Sequence, residues 1–247
     1  MGYPHSQSPW GLALLFSLSG VFVNFSEKAY AGAFAVTPVR VTLSARHMSD
    51  SLVLTNKNDS ETSVQLELFA WSQDREGKDV FTPTKDLLAT PPIFTLQPNG
   101  TQVVRVGLRR PQNSTDELTY RLFLQELPPP PKPNFTGLQV ALRMGIPVFV
   151  LPANPVAPAL TWQLLSSVDG KLILKASNAG KAHIQVANFI IAPQEATPFA
   201  RQQVASYLLS NQTREWVVKN NTLSVGAKAH LTIETDVGEI QTDLIVE

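Results

Sequence analysis

Leu138-Gln139-Val140-Ala141-Leu142-Arg143-Met144-Gly145-Ile146-Pro147-Val148-Phe149-Val150 carries a bulky apolar side chain at every second position from Leu138 to Ile146. Gln139, Ala141, Arg143, Gly145 and Pro147 fill the positions between. That period of two predicts a β-strand with its large side chains on one face and small or polar ones on the other. Pro147 has no N–H to give to a ladder, which suits a strand at a sheet edge, at least near that end. A long, regular, apolar edge is an aggregation hazard that proteins usually blunt. Two readings follow: another part of the chain covers the edge, or the edge serves to pair with another chain.

Outward from this strand, the sequence reads as all-β. Its 19 prolines and short Val-, Thr- and Leu-rich runs between turn residues fit sandwich architecture, and no stretch sustains a 3.6-residue period. In Phe34 to Leu43 the apolar parity switches at Pro38, from Phe34 and Val36 to Val39, Val41 and Leu43. That predicts a kinked strand able to pass from one sheet to the other. Strands are expected at 51–55, 62–71, 101–108 and 118–127, with turns at 56–60, 75–78 and 97–100. Pro128 to Pro133 is a proline run that delivers the chain, extended, into the organising strand. Residues 151–158 read as an interdomain linker. Beyond it, strands at 160–165, 171–176, 184–191, 207–209, 215–218, 230–234 and 240–246 predict a second, smaller β-domain, with no convincing repeat of the first half.

The first residues stand apart. Leu12 to Val23 is apolar but shorter than the roughly 18–20 residues of a spanning helix, and Ala29-Tyr30-Ala31 has the small-x-small pattern of a signal-peptidase site. Residues 1–31 are expected to be a removed export signal, although the segment before the apolar run has no Lys or Arg. The domains are then 32–152 and 153–247, with no membrane insertion after signal removal. Lys plus Arg equals Asp plus Glu, at 20 each, which disfavours a nucleic-acid partner. Cysteine is absent, so neither disulfides nor thiolate chemistry is available.

The search for chemistry finds no enzyme. His5, His47, His183 and His230 are scattered, and none forms a metal-type pair. Asp74, Glu76 and Asp79 read as a solvated turn rather than a calcium or acid/base site. There is no Gly-x-Ser-x-Gly elbow and no phosphate-binding glycine loop. Neither a cofactor nor a metal site is expected. Asn58, Asn113 and Asn211 stand in Asn-x-Ser/Thr sequons, which mark glycans in a eukaryotic secreted chain and plain polar loops in a bacterial one. Of the arginines in or beside strands, Arg40, Arg105, Arg121 and Arg143, each reads either as a solvated outer-face residue or as part of an anion site in an interdomain cleft.

Several of these pieces, in order, resemble the periplasmic pilus chaperones of the chaperone–usher pathway. They are Val36-Thr37-Pro38-Val39-Arg40-Val41, Leu52 to Lys57, Pro91 to Phe94 with Gln97 to Gly100, Val104-Arg105-Val106, Tyr120 to Pro128, and Leu138 to Leu142. The resemblance implies two immunoglobulin-like β-sandwich domains in a boomerang arrangement. It implies that a donor strand, with Leu138, Val140, Leu142, Met144 and Ile146 on its apolar face, completes a pilus subunit that lacks a final strand and holds it for an outer-membrane usher. In the conventional branch an Arg on the first strand and a Lys on the donor strand anchor the subunit's C-terminal carboxylate. Arg40 matches the Arg, but Gly145 stands at the Lys position. Arg121 is the preferred second anchor and Arg143 the reserve. The Gly145-to-Phe149 ending and the Tyr120-Arg121 pair look more like the archaic branch, related to spore-coat-U-type pili. A secreted adhesion or carbohydrate-binding module would share the fold without needing an open donor edge.

Overall fold

The computed structural model describes residues 34–128, 140–194, 197–199, 201–219 and 223–247. The export signal read at 1–31, most of the proline run and Leu138 lie outside the described residues. Everything described is strand, turn or irregular backbone.

The first half begins with β1 (Phe34–Thr37), β2 (Val41–Ser44), β3 (Ser49–Asn56), β4 (Thr62–Gln73) and β5 (Asp79–Pro83). It continues with β6 (Leu87–Thr90), β7 (Ile93–Leu96), β8 (Thr101–Leu108), β9 (Leu118–Leu127) and β10 (Arg143–Leu151). One sheet runs β1-β3-β8-β6; the other runs β2-β10-β9-β4-β5, with β7 also pairing β4. The proline kink does what the parity switch implies. β1 pairs β3 antiparallel in the first sheet, and β2 pairs β10 parallel in the second. Phe34, Val36, Val41 and Leu43 all point into the core, but Val39, expected to share the face of Val41, lies in the link and is 67% exposed. The inner faces of the two sheets enclose Leu52, Leu54, Val64, Val104, Val106, Leu122, Leu124, Ile146 and Val148.

The second half holds β11 (Leu160–Ser166), β12 (Leu172–Asn178), β13 (Ile184–Pro193), β14 (Gln202–Leu208), β15 (Gln212–Val217), β16 (Lys228–Thr235) and β17 (Gly238–Ile245). They form a three-stranded sheet, β11-β12-β15, and a four-stranded sheet, β14-β13-β16-β17. A separate core of Leu164, Leu174, Ile184, Val186, Phe189, Leu231 and Ile233 fills the space between them. The segment read as a linker is fastened to this half at its far end. Ala179 N–H donates to Ala159 O at 2.8 Å and Lys181 N–H to Ala157 O at 3.1 Å. Gly180 is required there, because a Cβ would lie 2.3 Å from Ala159 N.

The strands the sequence missed lack a period to read. Every residue of β5 is exposed. β14 begins at Gln202, well before the expected Tyr207, because Gln202, Gln203 and Ser206 break its apolar pattern. The two halves also share a feature that periodicity could not reveal. β3 and β12 each end in a fully buried asparagine, Asn56 and Asn178. Asn56 Nδ2 donates to the carbonyls of Ser60, Leu96 and Gln97, and its Oδ1 accepts from Asn58 N–H. Asn178 Nδ2 donates to Ala182, Leu208 and Leu209 carbonyls, and its Oδ1 accepts from Gly180 N–H and Ala159 N–H. One amide thus satisfies several loop carbonyls that burial would otherwise leave unpaired. The expectation of no repeat is corrected to this extent: the halves repeat a buried polar staple.

Candidate functional site

The organising strand is half covered and half open. β9 pairs β10 along Arg143 to Val150, but β2 lies against its other side only from Val148 to Leu151. Among the described residues, no strand covers that side from Arg143 to Pro147. Leu142 O accepts the N–H of Glu126 at 2.8 Å, and Leu142 N–H donates to the Glu126 carboxylate at 3.0 Å. Backbone groups alternate along a strand, so those of Met144 and Ile146 also face β9, while those of Arg143 and Gly145 face outward. Pro147, without an N–H, falls on the outward side.

The even-numbered side chains grade from core to solvent. Ile146 is buried, Met144 and Leu142 are half-buried against the first core, and Val140 is 55% exposed. The regular strand expected from Leu138 therefore begins at Arg143. Val140 to Leu142 lie outside the regular ladder, although Leu142 keeps its bonds to Glu126.

The three candidate arginines have different surroundings. Arg143 pairs with Glu67 at 3.3 Å and lies over the Phe123 ring at 3.9 Å. Arg40 donates to Asp236 Oδ2 at 3.0 Å and to Gln185 Oε1 at 3.3 Å, both in the second half, and its guanidinium lies 5.6 Å from the Phe149 ring centre. Burial opposes the charge of Arg40, but Tyr207 and Asp236 together outweigh it and raise its pKa above the usual arginine value. The Arg121 guanidinium lies over the Trp71 ring at 3.8 Å and 5.7 Å from the Tyr207 ring centre. Its one hydrogen bond among the described residues is long, 3.5 Å to Gly145 O, and it forms no ion pair there. Burial lowers its pKa, partly offset by Asp79 and Tyr207. Arg121 is the arginine of the three that keeps its charge unspent. Gly145 makes the room: a Cβ there would sit 3.3 Å from Arg121 Cδ and 3.0 Å from Phe123 Cε1.

Arg40 and Arg121 thus flank one aromatic cluster, and Arg143 stands apart from it. Trp71, Phe149 and Leu209 form a small buried core of their own, with Tyr207 packed against it. Trp71 meets Tyr207 edge-to-face at 5.2 Å, and His183 stacks on Phe149 at 3.6 Å. Trp71, Phe149 and both arginines come from the first half; Tyr207, His183 and Leu209 come from the second. Gln73 ties the halves together, donating to Tyr207 O at 2.8 Å and accepting Leu209 N–H at 3.1 Å. The sequence reading missed this junction. Its residues are scattered from Arg40 to Asp236, and only Arg40 and Arg121 had a pattern to flag them. Of the acidic residues read as a solvated turn, Asp74 caps it by accepting from the amides of Glu76 and Lys78, but Asp79 lies on β5 and accepts from Gln73 Nε2 at 3.1 Å. Among the described residues, no group of three or more His, Asp or Glu side chains could hold a metal ion.

The site thus combines an open strand edge on β10 with two arginines set against an aromatic junction of the two halves. Residues 33–155 match the family of pili and flagellar-assembly chaperones, PapD N-terminal domain. The chain belongs to the PapD-like pilus chaperones. Solved chaperone structures share its fold of two immunoglobulin-like domains. One is the CsuC–CsuE chaperone–tip adhesion subunit pre-assembly complex from archaic chaperone–usher Csu pili of Acinetobacter baumannii. The match has 19% identity, 87% of this chain and 99% of that chain covered, and a TM-score of 0.65. A second is the SafA pilin in complex with the SafB chaperone from Salmonella enterica, at 17% identity, 87% and 97% coverage and a TM-score of 0.60. A third is the CupB2 chaperone of Pseudomonas aeruginosa, at 16% identity, 86% and 100% coverage and a TM-score of 0.56. No curated protein matches the sequence. In this PapD-like chaperone the open edge belongs to β10, and Arg40 and Arg121 lie where the two halves meet.

Proposed function

We propose that this chain is a periplasmic, non-catalytic chaperone that captures pilus subunits by lending them its β10 edge and delivers them to an outer-membrane usher. The observation that carries the reading is the uncovered side of Arg143 to Pro147, continuous with a graded apolar row at Val140, Leu142, Met144 and Ile146. Strand addition uses both parts. The outward backbone groups of Arg143 and Gly145 supply hydrogen bonds that do not depend on the subunit's sequence. The apolar row, extended by Leu138, fills the subunit's incomplete core. A fully buried side chain is worth about 1.5–3 kcal/mol, and the exposed part of Val140 has most to gain. Met144 and Leu142 gain less, because they already pack against the chaperone.

The reading extends to the cleft. The subunit's C-terminal carboxylate binds Arg121 first, because that guanidinium is not shared with a carboxylate among the described residues. Arg40 is the second anchor, through the donors that Asp236 leaves free, and Arg143 is held away by Glu67. Arg121 thereby does the work of the missing Lys at Gly145. That substitution, with the archaic Csu complex among the fold matches, supports placing the chain in the archaic branch. Residues 1–31 act as the export signal, 32–152 as the capturing domain and 153–247 as the second domain.

The test is co-expression in a bacterial periplasm with a pilus subunit of an archaic chaperone–usher system. A stoichiometric complex is expected. A stable chaperone that captures nothing, and instead binds sugar, would replace this reading with that of an adhesion module.

A further inference from the structure

Glu117, in the turn before β9, is a buried carboxylate whose side chain is 2% exposed. Its Oε1 accepts from His183 Nδ1 at 2.6 Å and from the His183 amide at 3.3 Å. The other ring nitrogen, Nε2, is buried, has no hydrogen-bond partner among the described residues, and lies 3.8 Å from Asp236 Oδ2. That same Oδ2 holds Arg40 at 3.0 Å. His183 therefore stands between two carboxylates, one of which is the counterion of an arginine in the cleft.

We propose that protonation of His183 sets the charge of this cleft, engaging Asp236 and releasing Arg40 to bind the carboxylate of a pilus subunit. The proposal rests on the reading of the cleft as the carboxylate site. The charged groups around the junction are Arg40 after β1, Asp79 on β5, Glu117 before β9, Arg121 on β9, Arg214 on β15 and Asp236 after β16. Asp116 and Lys181 pair with each other at 3.1 Å. Arg214 stands 4.0 Å from Asp79. The other groups against the ring are uncharged: Phe149 of β10, stacked at 3.6 Å, and Tyr207 of β14, at 5.7 Å. Gln185 of β13 binds Asp236 through its amide at 2.9 Å. With His183 neutral, three arginines balance three carboxylates, and Arg40 is neutralised by Asp236. A proton on Nε2 places a donor opposite Asp236 and gives the cleft one net positive charge. By linkage, carboxylate binding must then take up a proton.

The experiment measures capture of a purified pilus subunit of an archaic chaperone–usher system by the full-length mature chaperone between pH 5.5 and 8. Wild type is expected to bind about five- to tenfold more tightly at the acid end, the effect of one charge at about 10 Å in a partly solvated cleft. His183→Gln should flatten the profile, and His230→Gln, at the exposed Asp243 pair, should leave it unchanged. Should His183→Gln not fold, calorimetry of wild type in two buffers of different ionisation enthalpy gives the same answer. Proton uptake on binding supports the proposal, and zero uptake overturns it. An identical pH profile in wild type and His183→Gln also overturns it. The cleft reading fails separately, if Arg40→Ala and Arg121→Ala capture the subunit like wild type at every pH.

Discussion

Replacing Val140 by aspartate separates the donor role of the edge from the stability of the chaperone. In the free protein Val140 is 55% exposed and precedes the first ladder residue of β10, Arg143. A charge there disturbs little, and unfolding free energy should change by no more than about 0.5 kcal/mol. In the subunit's groove the same side chain is enclosed. Substitution forfeits about 1 kcal/mol of apolar burial, half of a valine's full value, and adds several kcal/mol for a carboxylate taken out of water without a partner. The sum, at least about 3–4 kcal/mol, weakens capture by roughly 150-fold or more. Leu142→Asp is a poorer probe. Leu142 already packs against the chaperone core, so that variant loses stability and capture together. Urea unfolding of the purified variant gives the first quantity. Competition with tagged wild type for limiting subunit gives the second. A folded Val140→Asp chaperone that competes equally with wild type would refute the use of this face as a donor.

The cleft and the scaffold give two further expectations. Arg121→Ala should weaken subunit capture by about 10- to 100-fold, the worth of one charge-assisted hydrogen-bonding partner. Arg143→Ala, which removes only an exposed pair with Glu67, should change capture less than about fivefold, and equal losses in a pull-down titration would contradict the ranking. Asn178→Ala strips one amide from three buried carbonyls and two amides, and should lower unfolding free energy by about 2–5 kcal/mol. A urea midpoint within error of wild type would show that water replaces the side chain.

The fold was legible where burial imposes a period. β8 and β9 fall on the expected spans, since one face of each is core, and the sheet switch at Pro38 was written in the parity of Phe34, Val36, Val41 and Leu43. The strand at the centre of the reading was legible in its alternation, but not in its pairing. Nothing local says that β2 would cover Val148 to Leu151 and stop there. The junction was illegible for a related reason. Gln73, Glu117, Phe149, His183 and Tyr207 meet only after two sandwiches have formed, and each taken singly is an ordinary strand or turn residue. Arg40 and Arg121 could be nominated from sequence. That Asp236 occupies the first, while the second has no ion pair among the described residues, required coordinates.

The most direct test of strand lending is amide hydrogen exchange along β10 in the free chaperone and in its complex with a pilus subunit. The amides of Met144 and Ile146 face β9 and should be protected in both states. The amides of Arg143 and Gly145 face the open side and should exchange rapidly in the free protein, then become protected when a subunit pairs with the edge. Rapid exchange at Arg143 and Gly145 in a stoichiometric complex would show that the subunit is held elsewhere, and the account would be wrong.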